Sequence, residues 1–438
     1  MKFSLALAFL SALHLTSAAP TCSLKTSSVA AAATPTPTTP TSTLPSGNTT
    51  TGAGTNGTIS MTWFADWRTN YTVSDVQWSK YTHVAFFAVS PSPSLTLDLS
   101  TTDPSTISDF VSTAHSNGVK ALLTVGGWDG SMYWSSSVDS AQNRSTFATA
   151  VLQVVNSYGF DGVDFDWEYP NKQGVGCNTI NSNDTANFLE FITEMRQQAS
   201  NITYSAAVSV APFYDTNGQP STDLSDFAQQ LDWIEIMNYD VYGSFSTVTG
   251  PNSPLNDTCA SSGNQQGSAV SAVASWTKAG IPANKIVLGV AAYGHSFSVP
   301  SSTAVVNGNQ LTVYTSFNKA SEPAGDAWDD VTGTTDICGN PNPASGVYQF
   351  WGLVGYGFLN QDGSVASGKL SLYDDCSQTP YVYDPVSEIL VSYDNAQSFT
   401  AKGQYIAQSG LLGFAMYEAG GDYNNMLVDA ITKGLTGS

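Results

Sequence analysis

From residue 59 onward, short apolar runs recur along the chain, each followed by a polar loop and then a stretch with apolar residues three and four apart. The runs are "ISMTWF" (59–64), "HVAFFAV" (83–89), "KALLTVGG" (120–127), "GVDFDWE" (162–168), "YSAAVSVA" (204–211), "WIEIMNY" (233–239), "KIVLGVAAY" (285–293) and "LLGFAMYE" (411–418). Near-continuous apolar runs of this length suit parallel strands buried on both faces. The intervals "STISDFVSTAHSNG" and "DTANFLEFITEMRQQAS" carry the helical period. Eight such strands alternating with helices match the closed (β/α)8 TIM barrel, an α/β fold, although a doubly wound open sheet has a similar rhythm.

One interval breaks the alternation. Between "AAYGHSF" and "SGLLGFAMY" lie roughly a hundred residues, far more than a single βα crossover uses. Its short, aromatic, turn-punctuated segments predict a small α+β insertion between strands 7 and 8. The expected organisation is a signal peptide (1–19), a Ser/Thr/Pro-rich stalk (20–58), barrel strands 1–7 (59–296), the insertion lobe (297–390) and the end of the barrel (391–438).

The start, "MKFSLALAFLSALHLTSAAP", has Lys2, an apolar core from Phe3 to Leu13 and the small residues Thr16-Ser17-Ala18. This is the layout of a secretory signal, and the apolar run is too short to span hydrocarbon. The following "ATPTPTTPTSTLPSGNTTTG" cannot bury enough apolar area to offset chain entropy and resembles an O-glycosylated spacer. A secreted, extracellular protein is expected. Sequons at Asn48, Asn56, Asn70, Asn143, Asn183, Asn201 and Asn256 fit that route.

Cysteine usage points the same way. Cys22 lies in the spacer, leaving Cys177, Cys259, Cys338 and Cys376 in the folded part. No C-x-x-C spacing supports a metal site, so two disulfides are expected. Four cysteines allow three pairings. Loop placement favours Cys177–Cys259, on the loops after strands four and six, and Cys338–Cys376 inside the insertion.

Composition narrows the partners. The chain holds 35 acidic and 14 basic residues, a formal charge of −21, with 11% charged and 11% aromatic residues. Such a surface repels phosphate backbones and anionic lipid, so neither nucleic acid nor membrane is an expected partner. A monomer without cofactor or metal is the working expectation.

Against so few charges, "FDGVDFDWEYP" (160–170) concentrates four carboxylates in an apolar run. Side chains two apart on a strand point the same way, so Asp164, Asp166 and Glu168 share one face and Val163, Phe165 and Trp167 the other. Asp161 falls out of phase near the strand's beginning. Carboxylates roughly 6–7 Å apart along one strand face cannot all ionise cheaply in a desolvated pocket, so at least one holds a proton near neutral pH. An acid beside an ionised partner suits protonation of a glycosidic oxygen. A solvated edge strand would not interleave its acids with Phe, Val and Trp, and the glycine turn of a calcium loop is missing.

"DGVDFDWE" resembles the D-x-x-D-x-D-x-E signature of family-18 glycoside hydrolases, the chitinases and their relatives. "LLTVGGW" resembles their third-strand S-x-G-G element, with Thr124 in place of Ser beside Gly126 and Gly127. "IMNYD" resembles the M-x-Y-D element of the sixth strand, and "GIPANKIVLGVAAYG" and "VSYDNAQS" resemble later segments. The resemblance implies Glu168 as general acid and then base. It implies Asp166 on the substrate's acetamido nitrogen, and Asp164 sharing a proton with Asp166 under support from Thr124. Tyr239 would bond the acetamido carbonyl, Asp240 would contact the distorted sugar, and Met237 would belong to the pocket floor. In this family the substrate's own acetamido oxygen is the nucleophile, so chitin or N-acetylglucosamine oligosaccharides are the implied substrates.

Tyr417 stands where relatives usually place Trp beneath the reacting sugar, and His295 where many have Arg; both, with Thr124, Trp63 and Trp128, are expected among the substrate-binding residues. Trp63 and Trp67, Trp128 and Trp134, and Trp328 and Trp351 are candidates for a sugar-stacking track, with Trp128 and Trp134 favoured by a top-face loop. Motif residues do not separate chitin hydrolysis from cleavage between the two N-acetylglucosamines of an N-glycan core. A catalytically inactive sugar-binding lectin on the same scaffold is the alternative of another class.

Overall fold

The computed structural model describes residues 57–68, 70–329 and 333–437. The signal peptide, nearly all of the stalk, Cys22 and the sequons at Asn48 and Asn56 lie outside the described residues.

Eight parallel strands form the centre: β1 (Ile59–Ala65), β2 (His83–Pro91), β3 (Lys120–Gly126), β4 (Gly162–Asp166), β5 (Thr203–Val208), β6 (Trp233–Ile236), β7 (Ile286–Ala291) and β8 (Gly413–Tyr417). Each pairs with its neighbours in chain order, and β1 pairs in parallel with both β2 and β8. That double pairing closes the sheet, so the fold is the expected barrel and not an open doubly wound sheet.

Helices Pro104–Ser116, Ala141–Tyr158, Asp184–Gln198, Ser225–Gln230, Ala269–Lys278 and Ala396–Ser409 pack outside. Asp103 starts the first of these, accepting the Ser105 N–H ahead of a proline at the first turn. After β1 the chain uses two single 3-10 turns, Val73–Asp75 and Trp78–Lys80, where a full helix would be usual. Among the described residues no helix is long and apolar enough to cross a membrane.

The alternation along β4 sorts its side chains as the two-residue period requires. Phe165 and Trp167 face outward among Trp134, Phe188 and Phe191. Trp134, expected as a sugar platform, is instead fully buried, its ring stacked on Trp167 at 5.4 Å. The loop after β3 folds into the short helix Trp134–Val138, which turns that indole into the layer between barrel and helices.

Inside the barrel, Met61, Trp63, Leu122, Ala207, Trp233, Val287 and Ala415 form the apolar filling. The polar interior residues Thr124, Asp164, Ser205 and Glu235 are fully buried among them. Asp161 stays at the bottom of the barrel, where its carboxylate accepts from Lys120, His115 and the Ala121 N–H. Its role there is to join strand ends, far from the C-terminal mouth.

Between β7 and β8 stands the insertion, an antiparallel five-stranded sheet ordered Val347–Gln349, Tyr293–Ser298, Ile389–Ser392, Thr379–Asp384, Leu370–Asp374. Its own apolar cluster includes Phe297, Val299, Tyr381, Tyr383 and Leu390.

The disulfides differ from the expected pairing. Cys177 is bonded to Cys338 and Cys259 to Cys376, with Cα separations of 5.7 and 6.3 Å. The insertion is not self-contained. Its long excursion carries Cys338 to the loop after β4, and the turn between strands Leu370–Asp374 and Thr379–Asp384 carries Cys376 to the loop after β6. Each bond therefore ties lobe to barrel, which sequence spacing cannot reveal.

Candidate active site

The acid row begins at Asp164, which is fully buried. Its Oδ2 accepts the Trp63 indole N–H at 2.8 Å and the Thr124 hydroxyl at 2.9 Å, and its Oδ1 accepts the Ser205 hydroxyl at 2.9 Å. Burial pushes the carboxyl above its usual range, and these donors pull it part of the way back. Thr124 is thus sealed behind Asp164 and out of reach of a sugar, so its expected place among substrate-binding residues is corrected. Trp63 is likewise almost wholly buried. It lines the cleft beside Tyr417 with its N–H committed to Asp164, so it belongs to the cleft floor.

Two residues further up the same face, Asp166 is buried, with Oδ1 lacking any hydrogen-bond partner among the described residues. Burial, and then the neighbouring Glu168, Asp164 and Glu235 carboxyls, raise it well above an ordinary aspartate. An unpartnered carboxylate in such a place is costly, so Asp166 is held as the neutral acid. Glu168, at the cleft mouth, is pushed up to about 7, chiefly by burial and further by Asp240 and Asp129, against a hydrogen bond from Tyr169. Two carboxyls of the row therefore keep protons near neutrality.

The paired glycines after β3 have a steric reason. Gly126 has φ +117°, and a Cβ there would lie 1.9 Å from the Asp166 carbonyl oxygen. That close approach lets the Gly127 N–H donate to the same carbonyl at 2.8 Å. The Ser131 hydroxyl donates to Gly127 O and accepts the Glu168 N–H at 2.9 Å. The loop after β3 thus clamps the end of β4 and fixes where Asp166 and Glu168 point.

From β6 the chain continues through Met237 and Tyr239, both on the cleft wall, to Asp240. Asp240 takes a left-handed conformation, φ 54°. Asn252 holds it there by accepting its N–H at 2.9 Å and donating to Tyr293 O. One Asp240 oxygen accepts both the Tyr293 hydroxyl at 2.8 Å and His295 Nε2 at 2.7 Å. His295, expected to bind substrate, lies outside the cleft lining and acts on it through Asp240.

Tyr417 sits at the centre of an aromatic floor, its ring centroid 5.5–6.2 Å from those of Phe87, Trp63, Tyr239 and Tyr293. At the rim Trp67 and Trp128 are about half exposed (48% and 49%) and line the cleft from the loops after β1 and β3. Trp328 and Trp351 instead pack on each other at 5.1 Å, with Trp328 also against Tyr71 and the Arg68 guanidinium. The cleft has a volume of about 830 Å³, and Asp166, Glu168, Tyr239, Asp240 and Tyr417 all face it. Among the described residues no cluster of His, Cys, Asp or Glu could hold a metal ion.

These acids at this end of a closed barrel coincide with a known sequence family. The pattern of "Glycosyl hydrolases family 18" matches residues 60–422. The chain belongs to that family. A "chitinase-like effector" of Moniliophthora roreri is 46% identical over 86% of this chain and 92% of its own length. Another of that description, from Moniliophthora perniciosa, is 45% identical over 87% of each. The crystal structure of a chitinase from Rhizomucor miehei superposes with a TM-score of 0.78, at 33% identity, over 85% of this chain and 99% of that one.

Several residues that build this family-18 site escaped the sequence reading: Ser131, Ser205, Glu235, Asn252 and Tyr293. Only Glu235 had a signal, since it lies two before Met237 on a strand whose inward face was already assigned. The others serve through single hydroxyls or, for Asn252, a side-chain amide, which no residue-type pattern marks.

Proposed function

We propose that this protein is a secreted chitinase, hydrolysing β-1,4 bonds between N-acetylglucosamine units with retention of configuration. The observation that carries the reading is Glu168, a carboxyl pushed up to about 7 at the mouth of the cleft. That proton affinity suits an acid that must protonate a leaving oxygen and later draw a proton from water.

The resemblance to family 18 supplies the remaining roles. The substrate's acetamido oxygen attacks its own anomeric carbon as Glu168 protonates the departing glycosidic oxygen. Neutral Asp166 turns toward the acetamido N–H as its proton moves to Asp164, whose three donors favour its ionised form until that proton arrives. Tyr239 donates to the acetamido carbonyl, and Asp240, oriented by Tyr293 and His295, meets the distorted sugar. Ionised Glu168 then takes a proton from the water that opens the oxazolinium ring. The Tyr417 floor supports the sugar that reacts, and Trp67 and Trp128 offer faces for its neighbours.

A second reading, sugar capture without cleavage, is favoured by the description of both Moniliophthora relatives as chitinase-like effectors. The two are separated by chromophore release from a chitotriose-type substrate, with wild type and Glu168→Gln compared across the pH range. The hydrolase reading expects a bell-shaped profile that collapses in the variant. Oligosaccharide binding without release by the wild type would refute it in favour of capture. Release from an N-glycan core but not from chitotriose would move the substrate assignment.

A further inference from the structure

Beside the acid row lies a carboxyl that the proposed chemistry does not use. Glu235 projects from β6 into the barrel and is fully buried. Its strand neighbour Trp233 donates the indole N–H to Oε1, while Oε2 has no partner among the described residues. The Ser205 hydroxyl from β5 donates to Asp164 Oδ1 at 2.9 Å, and the Asp164 and Glu235 carboxyls, both fully buried, act directly on each other.

We propose that Asp164 and Glu235 form a buried acid pair that shares one proton, making Glu235 a positioning residue that limits the pair to a single negative charge below Asp166. The surroundings require it. Facing Glu235 from β4 are Asp164 and, further up, Asp166; β5 offers only Ser205 and Ala207, and β7 pairs Val287 with it. His83 of β2 packs edge-on against the Trp233 ring at 5.1 Å, and burial lowers that imidazole to about 4, so it brings no charge. No ion pair among the described residues includes Glu235. Two adjacent ionised carboxylates without a cation in a dry interior are strongly disfavoured, whereas one proton between them turns repulsion into a hydrogen bond. Burial and Asp164 both raise Glu235 well above an ordinary glutamate, in the same direction.

The consequence rests on the hydrolase reading, because Asp164 is the group to which Asp166 passes its proton. Were Glu235 ionised as well, a second charge would hold that proton too firmly. Were it apolar, Asp164 would lose a stabilising donor and its charge would vanish at a higher pH.

The test is first spectroscopic, so that it stands apart from turnover. Infrared difference spectra of full-length wild type minus Glu235→Gln are recorded at about pH 8, above the Glu168 transition. The expected difference is the carbonyl stretch of one protonated carboxyl; loss of a carboxylate band alone overturns the proposal. If the wild type turns over chitotriose substrate, pH profiles give a second arm. Glu235→Gln, nearly isosteric and still a donor, is expected to keep both limbs. Glu235→Leu is expected to move the acid limb up by about one pH unit. A fall of the alkaline limb in Glu235→Gln would mean that an anion had been removed, and overturns the pair. An inactive wild type with the carboxyl band intact refutes the hydrolase reading and leaves the pair standing. Should Glu235→Leu fail to fold, Glu235→Gln decides alone.

Discussion

Replacing Glu168 by Gln should stabilise the fold, and by an amount that depends on pH. The carboxyl is raised from an ordinary 4.5 to about 7, mainly by burial. Holding it ionised in the folded state therefore costs about 3 kcal/mol. The sign follows from proton linkage. Between 4.5 and 7 the native protein binds a proton that the unfolded chain has released, so stability falls as pH rises through that window. Below 4.5 both states are protonated and the cost is absent; above 7 it is fully present. Glu168→Gln removes the titrating group and keeps the shape. Urea unfolding should then give equal stabilities within about 0.5 kcal/mol at about pH 4, and a variant more stable by about 3 kcal/mol at about pH 8. Asp164, Asp166 and Glu235 are present in both proteins, so their own titrations largely cancel in the difference. A gain of the same size at both pH values would mean that packing, not desolvated charge, separates the two. A loss of stability at the higher pH would refute the idea that burial sets the acid's proton affinity.

Trp134→Ala should cost about 3–5 kcal/mol of stability because it empties a fully buried site, whereas Trp128→Ala should leave thermal unfolding unchanged and weaken oligosaccharide binding; calorimetry of both variants checks the contrast. Trp63→Phe deletes one of the donors to Asp164, so any chitotriose profile should lose its acid side at a higher pH, with a penalty of about 1.5–3 kcal/mol on the charged form. Non-reducing peptide mapping should recover Cys177 with Cys338 and Cys259 with Cys376, and Cys259→Ser should lower stability by about 2–4 kcal/mol.

The barrel was legible because its signal is local and repeated. Each apolar run is long enough for a strand buried on both faces, and each interval carries the helical period. The acid face of β4 was legible for the same reason, since a two-residue period needs no knowledge of neighbours. Gly126 was also readable, though its purpose became visible only when the Asp166 carbonyl was found against it. The tryptophans were misjudged where composition had to stand in for position. Trp128 and Trp134 lie six residues apart on one loop, yet one is half exposed at the cleft and the other is fully buried. A single turn of helix at Trp134–Val138 makes that difference.

By itself, then, the sequence determined the succession of strands and helices, the inward direction of Asp164, Asp166 and Glu168, and the family to which those acids belong. These follow from periodicity and from residue types at fixed separations along one element. Only the tertiary structure decided which donors Asp164 receives, that His295 works through Asp240, which cysteines meet, and that Glu235 lies against Asp164. Each of these joins elements far apart in the chain, and barrel closure brings them together. Proton affinities belong with the second group, because desolvation and neighbouring charge depend on what surrounds a carboxyl in space.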